Sequence, residues 1–259
     1  MKKLILCLSL CYFTLGAFAQ VQVAITGGLH AASVTPGFGV YPDSTKYLDT
    51  AVSTSKTPTV GIAFGFIADV PIKHGFYFRS GVLIAGKGSN WTQTYDTANL
   101  VASTSGLPDD QKNKLLSYNT KLHLTYIDVP FDLLYKLKIK GKIKFMIGGG
   151  PQLSLLYNGY KDLSTAYVSQ QSDSAVQFHY AQEKNTDLPI GKLPEHYRIF
   201  HWGANVLAGF DFGRVYLTAN YTTGLNAFYE EAGRKYKHQT IGATIGIYLG
   251  KFETKVTDK

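Results

Sequence analysis

Apolar and polar residues alternate along this chain with a period of two. Because successive side chains of a β-strand point to opposite faces of a sheet, the alternation predicts strands with one apolar face. The clearest segment places Ile241, Ala243, Ile245, Ile247 and Leu249 opposite small and polar residues. Eight such segments are predicted, at residues 21–30, 60–70, 76–84, 126–135, 143–155, 200–211, 214–222 and 240–249.

The second face of these segments indicates where the apolar face points. It consists mostly of Gly, Ser, Thr, Asn and Tyr, with a few isolated charges. A soluble barrel would expose a second face rich in Lys and Glu, whereas small residues suit the narrow interior of an eight-stranded barrel. We therefore predict that the apolar face meets lipid. A soluble lipocalin-like carrier, with its apolar face inside, is the alternative.

The connections between the segments alternate between long and short. This alternation is typical of outer-membrane barrels, which have short periplasmic turns and long outer loops. It predicts an all-β, eight-stranded, antiparallel up-and-down transmembrane β-barrel. The long connections are predicted at about residues 32–59, 87–121, 157–197 and 225–237, and the short ones at 71–75, 138–141 and 212–213.

The N-terminus carries the pattern of an export signal. Lys2 and Lys3 precede an apolar run over residues 4–18, and Ala17-Phe18-Ala19 offers small residues for cleavage. We predict a signal peptide at 1–19, a barrel at 20–252 and a C-terminal tail at 253–259. Cys7 and Cys11 are the two cysteines of the chain, so the mature protein would have no disulfide or reactive thiol.

Aromatic residues lie near both ends of the predicted strands, as in the interfacial girdles of membrane proteins. The predicted loop-end girdle consists of Trp91, Tyr118, Tyr157, Tyr197, Trp202, Tyr221, Phe228 and Tyr229. The predicted turn-end girdle consists of Phe76, Phe131, Tyr135, Phe210, Phe212, Tyr248 and Phe252.

Two motifs of the chain are distinctive. One is the central strand Tyr126-Ile127-Asp128-Val129-Pro130-Phe131-Asp132-Leu133-Leu134-Tyr135-Lys136, and the other is the run Gly148-Gly149-Gly150-Pro151. Both resemble motifs of the PorT-like outer-membrane β-barrel family, which is common in Bacteroidetes. The glycine-laced final strand is also similar to that family. The resemblance covers essentially the whole mature chain. It implies a barrel in the outer membrane of a Gram-negative cell envelope, and it does not imply an activity.

Several charged residues lie at the alternate strand positions whose side chains should point into the barrel. A lone charge inside a narrow barrel is costly, so these residues are expected to pair with one another. A structural ion-pair network is the favoured interpretation, and a polar pathway or proton relay is the alternative. The predicted network consists of Arg79, Asp128, Asp132, Lys144, Asp211 and Arg214.

The net charge of the chain indicates which kinds of partner to expect. The formal net charge of +8 would fall to +6 with the loss of Lys2 and Lys3, and an exported protein rarely meets nucleic acid. Outer-membrane lipid, lipopolysaccharide and an envelope protein are the expected partners. The alternating lysines at 136–144 are predicted to solvate the hairpin there.

The predicted role is non-enzymatic, with long outer loops that bind a surface ligand or envelope component or serve a structural purpose. Neither a cofactor nor a metal site is expected, because the seven histidines form no ligand pair at close spacing. A lipid-modifying outer-membrane enzyme is the alternative. It would have to use His123 with Thr125, or His201 with a nearby Ser.

Overall fold

The computed structural model describes residues 21–35, 51–95, 114–172, 175–191, 196–231 and 234–249. The predicted signal peptide and C-terminal tail lie outside the described residues, as does Phe252. None of the described residues belongs to a helix of the length and apolarity that would let it cross a membrane.

Eight strands form a ring in which every neighbouring pair is antiparallel. The last strand, β12 (Arg234–Tyr248), pairs back with the first, β1 (Gln22–Thr35), from Ala24↔Tyr248 to Thr35↔Lys237, so the ring is closed. The predicted eight-stranded barrel is therefore confirmed. Its strands are β1 (Gln22–Thr35), β2 (Ala51–Lys73), β3 (Phe76–Tyr95), β4 (Lys114–Lys140), β5 (Ile143–Ser172), β9 (Phe200–Asp211), β10 (Val215–Gly224) and β12 (Arg234–Tyr248).

Four further strands complete the described part of the chain. They are β6 (Ala175–Asp187), β7 (Ile190–Gly191), β8 (Tyr197–Arg198) and β11 (Tyr229–Glu231). Strand β6 pairs with β5, β11 pairs with β12, and β7 and β8 pair with each other in parallel. All four lie at the long-loop end of the ring.

The apolar faces of the eight strands point outward. Val60, Ile62 and Ile241 are 74%, 62% and 64% exposed, whereas Asp69 and Asp132 of the opposite parity are buried. A soluble carrier of the lipocalin type would bury its apolar face, so that alternative is excluded. The exposed band provides the surface that lipid covers in a transmembrane barrel.

The strands continue far beyond this apolar band. Strand β4 has 27 residues and β5 has 30, whereas a strand needs only ~9–11 residues to cross a bilayer. The prediction of a long loop at 157–197 was therefore wrong over most of its length, and the one at 87–121 was wrong over 87–95 and 114–121, while 96–113 lie outside the described residues. Polar residues on both faces hide most of the period-two apolar signal in these extensions, because one face packs against apolar residues only near the mouth of the barrel, at positions such as Trp91 and Leu122.

The extensions of β2 to β5, together with β6, form a sheet beyond the barrel. We call it the outer sheet, and it consists of residues 51–58, 88–95, 114–123, 160–172 and 175–187. At the opposite end, the turns between β2 and β3, β4 and β5, and β9 and β10 are short, as predicted.

Candidate functional site: a closed polar interior beneath an apolar cap

A cluster of charged side chains fills the turn end of the barrel, and we call it the turn-end network. Arg79 donates two hydrogen bonds to the carboxylate of Asp69, at 2.7 and 2.9 Å. Lys136 Nζ lies 2.8 Å from Asp69 Oδ2 and 3.1 Å from Asp211 Oδ2, so it bridges two carboxylates. The Tyr248 hydroxyl accepts from Lys136 at 3.0 Å and donates to Asp69 at 2.8 Å.

A second group lies towards the middle of the barrel. Lys87 Nζ forms an ion pair with Asp128 at 2.8 Å, and Ser154 donates its hydroxyl proton to Asp128 Oδ1 at 2.6 Å. Nearby, the Asn205 side-chain amide donates to Asp132 Oδ2 at 3.0 Å. Because these groups are buried, the loss of one partner of an ion pair would leave an uncompensated charge, which typically costs about 3–5 kcal/mol.

The structure brings four of the six predicted network residues into the interior. Arg79, Asp128, Asp132 and Asp211 are all buried there. Lys144 is only partly buried, at the turn end opposite Asp211 in the β5–β9 register. The prediction for Arg214 was wrong: this residue is exposed in the turn that follows Asp211, where the alternation of a strand no longer determines side-chain direction.

Three residues of these clusters were missing from the predicted network. Asp69, Lys87 and Lys136 are all buried. The assignment of Lys136 to a solvated hairpin was wrong, because its side chain is 0% exposed. The parity of Lys136 could have revealed this, since it shares the inward face of β4 with Asp128 and Asp132.

An apolar cluster lies above the charged groups at the loop end, and we call it the apolar cap. Residues from strands and connections meet here, including Leu188 after β6 and Phe228 before β11. With these side chains packed across the mouth, the interior is not an open channel. The cap consists of Val34, Trp91, Leu122, Leu124, Tyr126, Leu156, Leu188, Tyr197, Phe228 and Tyr236.

The cap corrects the predicted aromatic girdles. The residues predicted for a girdle but found buried are Trp91, Tyr118, Tyr197, Phe228 and Tyr248. Those found exposed are Tyr157, Trp202 and Tyr221 towards the loop end and Phe76, Tyr135, Phe210 and Phe212 towards the turn end. The distance of an aromatic residue from a strand end does not reveal whether its side chain points inward or outward, whereas its place in the alternation along the strand does.

The histidines proposed for catalysis are engaged in other contacts. His201 is opposite Ser154 in the β5–β9 register, but the Ser154 proton goes to Asp128. His201 instead packs edge-on against Tyr126, with ring centroids 5.0 Å apart. His123 stacks on Tyr160 outside the barrel, with its Nε2 3.6 Å from Asp162.

His238 lies beneath the cap. Its Nε2 is 2.9 Å from the Tyr126 hydroxyl, and its ring stacks on Phe228 at 3.8 Å. Across the described ranges, no group of three or more His, Cys, Asp or Glu side chains is placed to hold a metal ion.

Comparison with solved structures finds bacterial proteins of low sequence identity. The chain is similar to Neisserial surface protein A, with 13% identity, 89% of this chain and 97% of that chain covered, and a TM-score of 0.37. It is also similar to the attachment invasion locus protein Ail of Yersinia pestis, solved with a heparin analogue. The identity with Ail is 8%, 89% of this chain and 99% of that chain are covered, and the TM-score is 0.34. With TM-scores below 0.5, these likenesses support no further argument.

The family assignment rests on a sequence match instead. No curated protein matches the chain significantly. The family described as "Outer membrane protein beta-barrel domain" matches residues 18–230, which is most of the chain. This match agrees with the closed ring of eight strands and its exposed apolar band. The chain therefore belongs to the outer-membrane β-barrel domain family, and it is an outer-membrane protein.

Proposed function

We propose that this protein is a non-enzymatic outer-membrane protein whose outer sheet binds another protein of the cell envelope or surface. The observation that carries the proposal is the length of the strands. Strand β5 has 30 residues, whereas a tilted strand needs only ~9–11 residues to cross a bilayer, so most of its length is not needed for the crossing. So large an ordered extension serves no purpose in anchoring the barrel.

The β6 hairpin offers the features of a binding surface. Among the described strands, β6 pairs with β5 only, so its other edge presents free backbone N–H and C=O groups. A free edge can accept an extended segment of another protein as an added strand. Phe178 and Tyr180 lie on one face of β6 and are 63% and 79% exposed. Exposed aromatic side chains are enriched at protein interfaces.

The contacts of the barrel interior support a non-enzymatic role. Ser154 donates to a carboxylate that is already paired with Lys87, so it is not activated by a base. The apolar cap separates it from the outer surface. The alternative, a lipid-modifying enzyme, predicts altered lipid A mass spectra in cells that lack the protein. Unchanged spectra are the expected result.

We further propose a PorT-like affiliation within the family, on the strength of the Tyr126–Lys136 and Gly148–Pro151 motifs. Export would proceed with cleavage between Ala19 and Gln20, and the barrel would contact outer-membrane lipid and lipopolysaccharide. N-terminal sequencing of the membrane-inserted protein tests the cleavage site. A mature chain that begins at Gln20 is expected, and one that retains residues 1–19 would contradict the proposal.

The test of the binding role removes the outer part of the β5–β6 hairpin without touching the barrel. Ser164 and Gln182 are partners in the β5–β6 register, so residues 165–181 can be replaced by a two-residue turn. Cells that carry this deletion and cells that carry Phe178→Ser with Tyr180→Ser are compared with the wild type by in-cell crosslinking. A matched control changes the exposed polar residues Glu183 and Lys184 to Ser.

We expect a discrete crosslinked partner band in the wild type and the polar control. The band should be lost in the deletion and at least tenfold weaker in the aromatic variant. All variants should show normal heat-modifiable gel mobility, which reports a folded barrel. A band that survives deletion of residues 165–181 at full strength would contradict the role of this hairpin. The absence of any band in the wild type would contradict the binding function itself.

A further inference from the structure

The buried charges of the barrel interior do not balance. Seven Asp, Lys and Arg side chains are buried there, and three cations face four carboxylates. Arg79 and Lys136 neutralise Asp69 and Asp211 in the turn-end network, and Lys87 neutralises Asp128. Asp132 is left without a cationic partner within ion-pair distance among the described residues.

Asp132 also has an unused hydrogen-bonding position. Its Oδ2 accepts a hydrogen bond from the Asn205 side chain, but its Oδ1 is buried and has no hydrogen-bond partner. The residue is 1% exposed. A buried carboxylate without a counter-charge, and with one oxygen that has no hydrogen-bond partner, is strongly unfavourable. Something must therefore compensate Asp132 in the folded protein.

A cavity of about 90 Å³ lies beside Asp132, in the middle of the barrel. Among the residues that line it are Thr26, Asn205, Thr222 and Thr244. The hydroxyl protons of the three threonines are already donated to protein oxygens, at 3.1–3.2 Å. A hydroxyl oxygen that donates its proton still carries lone pairs, so the cavity that Asp132 lines also offers neutral oxygen atoms.

We infer that this cavity binds a partly hydrated monovalent alkali cation, Na⁺ or K⁺, at Asp132 Oδ1. Hard cations take oxygen ligands, and divalent ions are bound tightly by several carboxylates. This cavity offers one uncompensated carboxylate together with neutral oxygens, which suits a single positive charge. At ~30 Å³ per water, the volume also leaves room for one or two water ligands. Arg79 and Lys87 line the cavity as well, but each is held by its own carboxylate.

The experiment compares salts at constant ionic strength. The protein is refolded separately in NaCl, KCl or choline chloride, and the unfolding temperature is followed by heat-modifiable gel mobility. Choline is too large for the cavity, so it controls for general salt effects. Asp132→Asn removes the charge at the proposed ligand. Asp162→Asn is the matched control, because it removes one carboxylate from the outer sheet.

We expect the unfolding temperature of the wild type and of the Asp162 variant to rise saturably with Na⁺ or K⁺, by about 2–4 °C over choline. Asp132→Asn should show no such rise. Equal unfolding temperatures of the wild type in all three salts would overturn the inference, because a proton would then be the group that neutralises Asp132. A full response that persists in Asp132→Asn would also overturn it.

Diffraction decides the case if the Asp132 variant does not fold. Crystals of the wild-type protein grown in RbCl should give an anomalous peak within bonding distance of Asp132 Oδ1. Water without an anomalous signal at that position would overturn the inference.

Discussion

At the scale of single residues, Lys136 is the charge on which the turn-end network depends. Its ammonium group touches two buried carboxylates and the Tyr248 hydroxyl. Lys136→Met removes the charge and keeps much of the volume, so Asp211 loses its cation and Asp69 keeps only Arg79. We expect a loss of about 3–5 kcal/mol in the free energy of unfolding in urea. Lys140→Met, at an exposed lysine of the same strand, should change it by less than about 0.5 kcal/mol. Equal effects would contradict the network.

Gly246 shows how closely the interior side chains pack. A Cβ at this position would lie 2.1 Å from the Tyr216 ring, whereas at Gly27, which faces outward, the nearest atom would be 3.9 Å away. Gly246→Ala should therefore destabilise the barrel by about 1–3 kcal/mol through overpacking. Gly27→Ala should have little effect. Urea unfolding of both variants checks the comparison, and it fails if Gly27→Ala is the more harmful change.

The alternation of inward and outward side chains along each strand was enough to predict many of the residues that lie in the interior. It placed Arg79, Asp128, Asp132 and Asp211 inside because a strand fixes side-chain direction. It failed for Arg214, because a turn does not fix that direction. Sequence also could not reveal that Lys136 reaches Tyr248 across the barrel, since that contact depends on how the closed ring brings distant strands together.

At the scale of secondary-structure elements, the barrel strands and short turns were predictable and the outer sheet was not. The apolar face of a spanning strand is visible in sequence because lipid selects it. The extensions pair through their backbones, and pairs such as Thr92 with Asn119 are polar on both strands. Over most of their length, their side-chain pattern does not distinguish such strands from a polar loop.

The turn between β4 and β5 yields a prediction about a single element. Gly141 has a φ of +59°, and nothing lies within 4 Å of a Cβ built there. The backbone conformation is therefore the only penalty for a side chain. Gly141→Val should destabilise the barrel by roughly 1–2 kcal/mol, whereas Gly141→Asn should be tolerated because Asn adopts this conformation readily. Equal losses in thermal unfolding of both variants would contradict this explanation.

At the scale of the whole molecule, the barrel is a filled cylinder rather than a pore. The turn-end network occupies one end, the apolar cap closes the other, and the cavity between them is small. Protein reconstituted into planar bilayers should give no stable conductance steps, under conditions in which a porin control does. Regular open-channel steps would show that the cap or the network moves aside in the membrane.

The central claim is that the apolar face meets lipid while the outer sheet projects into water. Expressed from Gln20, the chain has no cysteine, so single cysteines can carry nitroxide labels. Labels at Phe64, Leu217 and Ile245 would report the apolar face, and a label at Tyr180 would report the outer sheet. Paramagnetic resonance then compares the access of oxygen, which enters lipid, with that of a water-soluble nickel complex. Oxygen should dominate at the first three positions and nickel at Tyr180. Nickel access at Phe64, Leu217 and Ile245 would contradict the transmembrane barrel.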